Sequence, residues 1–385
     1  MTDTIPDLTL ARSCPFDPPD GAAELRERGP VTRVRLFDGS AAWLVTGHAE
    51  ARALLADPRV SSDRGKPGYP MPVPTPRVTT LNATLVADDP PMHTRLRRML
   101  IPSFTVRKIA ALKPKIERIV TERLDEMIAA GPPADLLASF ALPVPSMVIC
   151  ELLGVPYEDH EFFEEQSRRR LDADGQAIQK LVGYLRDLVR KKIEKPGDGL
   201  LDDLIAEQVS DGALDHDELA SMGLAMLIAG HDTSARMISL GTMLLLSKPD
   251  QLAKVRADEA AIPGAVEELL RYLAIVTFLP RIASGDIELG GHTIKAGDGV
   301  LVASAIVNRE QSDELDVANP MRRHLAFGFG IHQCLGQNLA RAELEIAFTH
   351  LFRRIPTLRL AVPVDEVPRR PVAAQSGVTE LPVTW

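Results

Sequence analysis

Three side chains of the 385-residue chain are cysteines, and one of them differs in setting from the other two. Cys150, inside the apolar run "VPSMVICELLGVP", reads as core, and Cys14 as a packed or exposed thiol near the N-terminus. Cys334 lies in "HLAFGFGIHQCLGQNLARAELE", residues 324–345, with Gly328, Gly330 and Gly336 around it. Glycines there strip away side chains where the backbone must approach something flat and large, and they permit unusual dihedrals. "NLARAELEIAFTHLF" follows at good helical spacing, which puts the sulfur near a helix N-terminus whose dipole and free N–H groups favour thiolate over thiol. Such a thiolate ligates soft or borderline metals. A single thiolate with no CxxC partner is wrong for zinc and right for the one axial ligand of a haem. Taken alone, a glycine-flanked cysteine is more simply a plain turn.

The elements that must position this loop follow from pattern. "VTRVRLFDGSAAWLVTG" (31–47) reads as a hairpin about the Asp38-Gly39 turn signal, and "GYPMPVPTPRVTT" (68–80) as a proline-broken loop laid over something. Helical patterns dominate from about 92 to 272, and a second β-rich stretch runs from 281 to 308. "LDHDELASMGLAMLIAGHDTSARMISLGTMLLLSK" (214–248) opens with Asp215 and Glu218 spaced as a capping box and closes before Pro249. His231, Asp232 and Arg236 near its middle argue against a membrane span and for the core helix of a large fold. The expectation is one domain over 1–385, with a β lobe from about 31–47 and 281–308 and a helical body from about 92–272 and 335–353.

Bulk properties narrow the class. Hydrophobic residues at 45% and charged residues at 25% are ordinary for a globular protein, and the net charge of −9 disfavours nucleic acid as a partner. The N-terminus "MTDTIPDLTLARSCPF" carries neither a secretory signal nor a membrane anchor, and three scattered cysteines point to a reducing compartment. A soluble, cytoplasmic protein is expected.

The spacing Phe327-x-x-Gly330-x-His332-x-Cys334-x-Gly336 resembles the haem-binding signature of the cytochrome P-450 superfamily, the haem-thiolate monooxygenases. Ala229-Gly230-His231-Asp232-Thr233-Ser234 resembles its oxygen-activation motif, and Glu268 and Arg271 in "EELLRY" its helical Glu-x-x-Arg pair. The resemblance covers nearly the whole chain and is closest to the soluble actinobacterial branch. It implies a mainly α (α+β) fold, a helical triangular prism with a small β lobe, and haem b with O2 as co-substrate.

Residue roles follow from the same resemblance. Cys334 is the proximal ligand and the metal's protein partner, Phe327 shields the sulfur, and Gly328 and Gly336 belong to the same haem-facing loop. His332, Arg281, and His93 with Arg97 one helical turn apart reach haem carboxylates, the last two as a pair of cations. Ala229 and Gly230 face the haem, Gly230 leaving room for dioxygen. Thr233 bonds back to a carbonyl one turn earlier and opens the helix, and Asp232 and Thr233 pass protons to the oxygen. Substrate-pocket positions are Leu81, Val86, Leu227, Ile228, Ile275, Val276, Phe278 and Gly377, which are mostly apolar and imply a lipophilic substrate.

The implied reaction is hydroxylation, with electrons from NAD(P)H through ferredoxin reductase and a ferredoxin, since no flavin, nicotinamide or Fe–S fingerprint occurs in the chain. An acidic ferredoxin is expected to dock on the cationic runs "TRLRR" (94–98) and "RRH" (322–324), the protein being a monomer that binds neither membrane nor nucleic acid. Peroxide-driven oxygenation and a non-enzymatic ligand sensor are the alternatives. One departure stands out: Asn319 occupies the place where the family has an arginine completing a triad with Glu268 and Arg271. Arg322 or Arg323 is the candidate substitute, and without one, weakened haem retention or thermal stability is expected.

Overall fold

The Asp38-Gly39 signal does form a hairpin. Gly39 adopts a left-handed φ of 83°, its N–H donates to the Leu36 carbonyl, and Val31–Arg35 pairs antiparallel with Ala41–Val45. The structure is a computed structural model and describes residues 5–74, 85–169, 176–209, 212–370 and 377–385. The described chain divides into two units: Met1–Val78, Leu240–Cys334 and Val364–Thr379 in the first, Thr79–Ser239, Leu335–Pro363 and Glu380–Trp385 in the second.

The first unit is organised by a five-stranded sheet ordered Val31–Arg35, Ala41–Val45, Gly299–Val302, Leu279–Ala283, Val60–Ser61. Trp43 pairs with Val300 in the parallel step, and Arg281 pairs with the same Val300 from the antiparallel side. One face buries Val45, Leu54, Ile287, Val300 and Leu325 and the other Leu25, Val34, Leu44, Phe278 and Leu301. The two faces alternate along each strand, as the pleat requires. The β-rich stretch ends earlier than its sequence pattern predicts, because Ser304–Val307 turns into a short helix. Ile262–Leu273, with Pro263 in its first turn, buries most of its length.

The second unit is mainly helical. Val106–Ala130 begins at Thr105, whose hydroxyl accepts from the Lys108 N–H. It packs against both Pro143–Leu153 and Gln337–Arg354. Helix is interrupted at Ala134–Asp135, a strand too short to show in sequence, which joins Pro382–Thr384 and Arg359–Leu360 in a small antiparallel sheet.

His216–Ser247 carries the predicted capping box: the Glu218 N–H donates to Asp215 Oδ1 at 2.7 Å, and the Asp215 N–H to Glu218 Oε2 at 3.2 Å. Met222, Leu224, Ile238, Leu240, Met243 and Leu244 are all buried, so the helix is apolar on several sides. No helix among the described residues is long and apolar enough to cross a membrane.

Candidate functional site

In the first unit, Cys334 sits on a backbone fixed from several directions. Its N–H donates to the Phe327 carbonyl at 2.8 Å, Gln333 N–H to Gly330 at 3.0 Å, and Gly328 N–H to Leu325 at 2.9 Å. Leu325 is itself held through its N–H by Asn308 Oδ1 at 2.7 Å. Gly330 has φ 75°, and a Cβ there would lie 2.1 Å from the Leu55 carbonyl oxygen, so only glycine lets the loop press onto helix His48–Ala56. His324 fixes the neighbouring turn: its Nδ1 accepts from the Ala326 N–H, which leaves Nε2–H to donate to Glu267 at 3.2 Å. The Arg52 guanidinium lies 4.3 Å from the Phe329 ring centroid.

The sulfur's surroundings suit a metal-bound thiolate. Cys334 is half-buried. Helix Gln337–Arg354 starts three positions beyond it in the sequence, and its N-cap, Gly336, has no side chain to cap the first turn. Cys150 is the contrast: it is sealed in the core, where burial pushes its thiol up to about 12. A haem bound through one thiolate fits the first environment and not the second.

The Glu268/Arg271 pair requires a correction to the sequence expectation. Arg271 grips both Glu268 oxygens, at 2.9 and 2.6 Å, and also donates to the carbonyls of Asn308, Ser312 and Glu314 at 2.9, 2.8 and 2.6 Å. Glu268 in turn accepts from the N–H groups of Asp316 and Met321 at 3.1 and 3.3 Å. Backbone thus takes the place of a third side chain. Arg322 and Arg323 are exposed, and Asn319 donates to Asp316 at 2.7 Å instead.

Arg281 lies in the central sheet, its Nη1 donating to the Pro280 carbonyl at 2.7 Å. Of the pocket positions in this unit, Ile275 is buried, Val276 half-buried and Gly377 half-buried. Phe278 packs with Leu25, Leu44 and Leu301, so its ring belongs to the sheet's core rather than to a pocket wall.

In the second unit the polar step of the long helix is built as pairs. Thr233 Oγ1 donates to the Ala229 carbonyl at 2.8 Å, as its spacing predicts. The predicted local opening does not occur: the helix stays regular from His216 to Ser247, the hydroxyl adding to the carbonyl without breaking the turn. Asp232 accepts from Arg236 Nε at 2.7 Å, both side chains being buried. His231 Nε2 lies 3.2 Å from the Leu142 carbonyl. A Cβ at Gly230 would meet Ile149 Cδ1 at 3.3 Å, so close packing against helix Pro143–Leu153 asks for a small residue there. Ala229 is exposed, Ile228 half-buried and Leu227 closed into the core at 1% exposure.

His93 and Arg97 share one face of helix Met92–Leu100, His93 buried and Arg97 half-buried. Burial first, and then the Arg97 charge, hold the His93 imidazole below its ordinary value. Arg95, in the same run, is engaged by Glu218 and by the Ala213 carbonyl at 2.7 Å. Val86 is exposed, while Leu81 lies outside the described residues, as do residues 75–80 of the proline-rich loop.

Two groups escaped the sequence reading. Arg309 is buried and donates to the carbonyls of Tyr272, Asp313 and Phe16 at 3.0, 3.0 and 2.9 Å. Glu343, facing inward from Gln337–Arg354, is buried, and burial pushes its carboxyl up to about 8. Neither has a signal in sequence beyond its charge, because burial at these positions depends on partners remote in the chain.

The comparisons with known proteins agree with this chemistry. A family model described as Cytochrome P450 matches residues 162–371. Pentalenic acid synthase of Streptomyces avermitilis is 54% identical over 97% of this chain and 96% of its own length. Vitamin D3 dihydroxylase of Streptomyces griseolus is 50% identical over 100% of this chain and 98% of its own. Among solved structures, cytochrome P450 MoxA of Nonomuraea recticatena superposes with a TM-score of 0.94 at 47% identity, covering 98% of each chain. The glycine-set cysteine loop therefore has a family to match it: the chain belongs to the cytochrome P450 monooxygenases, which bind haem iron through a cysteine thiolate.

Proposed function

We propose that the protein hydroxylates a lipophilic small molecule, with electrons delivered from NAD(P)H through a ferredoxin reductase and a ferredoxin, acting as a cytoplasmic monomer. When bound, the haem supplies the reductive activation of dioxygen, and thiolate donation favours O–O cleavage. Phe327 shields the sulfur and Gly328 and Gly336 give the loop its shape. Arg281, His332, His93 and Arg97 hold carboxylates of the group.

Proton delivery is assigned to Asp232 and Thr233. The observation that carries this reading is the Thr233 hydroxyl, tethered at 2.8 Å to the Ala229 carbonyl next to a buried acid. The tether orients the hydroxyl, and Asp232 beside it is a carboxylate that Arg236 keeps in one place. Ala229 and Gly230 keep this turn free of bulk.

Ile228, Ile275 and Val276, with Val86, Leu81 and Gly377, are the residues proposed to meet substrate, and their apolar character supports a substrate oriented by shape. Relatives named for pentalenic acid and vitamin D3 support the lipophilic class. The exposed Arg98, Arg322 and Arg323 support an acidic electron donor.

The test is turnover of a lipophilic probe such as vitamin D3 with ferredoxin, reductase and NADPH, against hydrogen peroxide alone. Product in the first regime, at a rate that falls with ionic strength, supports the reading. Product with peroxide alone would replace it by a peroxygenase, and ligand binding without turnover in either regime by a sensor.

A further inference from the structure

The connection between helix Ile262–Leu273 and strand Leu279–Ala283 is held more firmly than a link of five residues requires. It begins at Ala274, a non-glycine residue in the left-handed region at φ 38°, a conformation that persists only where surroundings enforce it. The Ser304 hydroxyl donates to the Val276 carbonyl, and lies 3.1 Å from that of Thr277. The third tie comes from the far end of the sequence. Arg12 Nη2 donates to Thr277 Oγ1 at 2.8 Å, across 265 positions of chain.

Arg12 reaches Thr277 from an N-terminal loop that is itself fastened. Arg12 also donates to the Asp17 carbonyl of its own loop, and Arg309 donates to the Phe16 carbonyl at 2.9 Å. Asp20 closes the loop by accepting from the Ser13 N–H and hydroxyl at 2.9 and 3.1 Å, while the Leu8 N–H donates to the Arg35 carbonyl at 2.8 Å. Holding a guanidinium here is unfavourable in itself: burial, followed by the nearby Arg309 charge, pushes Arg12 down to about 10. Thr277 is 2% exposed, so its hydroxyl would be stranded without this donor.

We propose that Arg12 is a positioning residue for substrate specificity: by fixing Thr277 it sets the direction of Ile275 and Val276, and so the size of lipophilic molecule the enzyme accepts. This rests on the reading above that Ile275 and Val276 meet substrate. The remote N-terminal loop thereby becomes part of the specificity apparatus without touching the substrate.

The test uses the haem-loaded full chain, with Arg12→Met, Thr277→Val, their double variant and Thr277→Ser. Amide hydrogen exchange of peptides covering 274–279 is followed by mass spectrometry, and binding of imidazole and of the bulky azole econazole by Soret titration. Exchange is expected to quicken several-fold in Arg12→Met and Thr277→Val alike, and no further in the double variant. Econazole affinity is expected to change at least about fivefold, with imidazole within about twofold. Thr277→Ser, which keeps the hydroxyl, should behave as wild type. Unchanged exchange overturns the clamp. Altered exchange with unaltered azole discrimination overturns the pocket reading of Ile275 and Val276, and the specificity role with it. Equal loss of both azoles, or loss in Thr277→Ser as well, marks general loosening and also overturns the proposal.

Discussion

Among the described residues, two buried acid–arginine pairs lie on helices, Glu268/Arg271 spaced i,i+3 and Asp232/Arg236 spaced i,i+4, and they differ in what surrounds them. The first is enclosed in backbone: three carbonyls and two N–H groups complete what the two side chains begin. Its partners come from residues 308–321, the approach to the thiolate loop, so the pair fixes chain that has little regular structure of its own. The second lies within one turn of a single helix and adjoins a hydroxyl. A pair saturated by backbone is a fastening, whereas the pair beside a tethered hydroxyl is the one proposed to hold chemistry in place.

Breaking the first pair should have the largest effect. Arg271→Lys keeps the charge but cannot hold the fork on Glu268 while also reaching three carbonyls. Leaving a buried carboxylate half-paired costs about 3 to 5 kcal/mol, so the variant should yield little folded, haem-loaded protein and a much lower thermal midpoint. A midpoint equal to wild type would show that the carbonyls at 308–314 find other donors and that the pair is dispensable.

Breaking the second pair should spare the fold more than the chemistry. Asp232→Asn retains an acceptor for Arg236 while removing the acid, and turnover should fall by ~10²-fold, the usual scale for one proton-transfer group. Thr233→Ala removes the tethered hydroxyl and should raise the peroxide released per NADPH consumed. If coupling of NADPH to product is unchanged in Thr233→Ala, the pair is a fastening like the first and the contrast collapses.

The contrast also explains what was legible in sequence. The thiolate loop, the capping box and the hairpin were readable because each is specified by residues close together: glycines at 328, 330 and 336, Asp215 with Glu218, Asp38 with Gly39. Thr233 was readable for the same reason, its acceptor lying one turn away. What failed depended on distant chain. Nothing around "EELLRY" announces that the carbonyls at 308–314 will receive Arg271, and nothing around Arg12 announces Thr277. Phe278 was misread as pocket wall because an apolar residue at a strand's edge is equally suited to the core.

Glu343 sharpens the comparison by offering burial without a cation. Its Oε1 has no hydrogen-bond partner among the described residues, and burial lifts its carboxyl from an ordinary 4.5 to about 8. Between those values the folded protein keeps a proton that the unfolded chain has released, so stability on this account falls as pH rises through the window. Glu343→Gln keeps the shape and does not titrate. Its thermal midpoint should match wild type near pH 5 and exceed it by a few degrees near pH 8.5. An equal difference at both values would mean that Glu343 has a partner when folded.

The smallest effect is expected where sequence alone suggested a weakness. Asn319 stands where an arginine would complete the triad, yet the Glu268 oxygens already receive Arg271 and two backbone N–H groups. Asn319 works one step removed: it donates to Asp316 at 2.7 Å, and the Asp316 N–H is one of the donors to Glu268. Asn319, Lys254 and the Ala318 N–H together hold the Asp316 carboxyl down to about 2. An arginine at 319 can replace Asn319 as a donor to Asp316 on an exposed surface, where such exchanges stay within about 0.5 kcal/mol. Asn319→Arg should therefore leave the thermal midpoint and the rate of haem loss to apomyoglobin unchanged. A gain of several degrees, or slower haem loss, would mean that backbone does not substitute for the missing side chain and that the first pair is the weaker fastening.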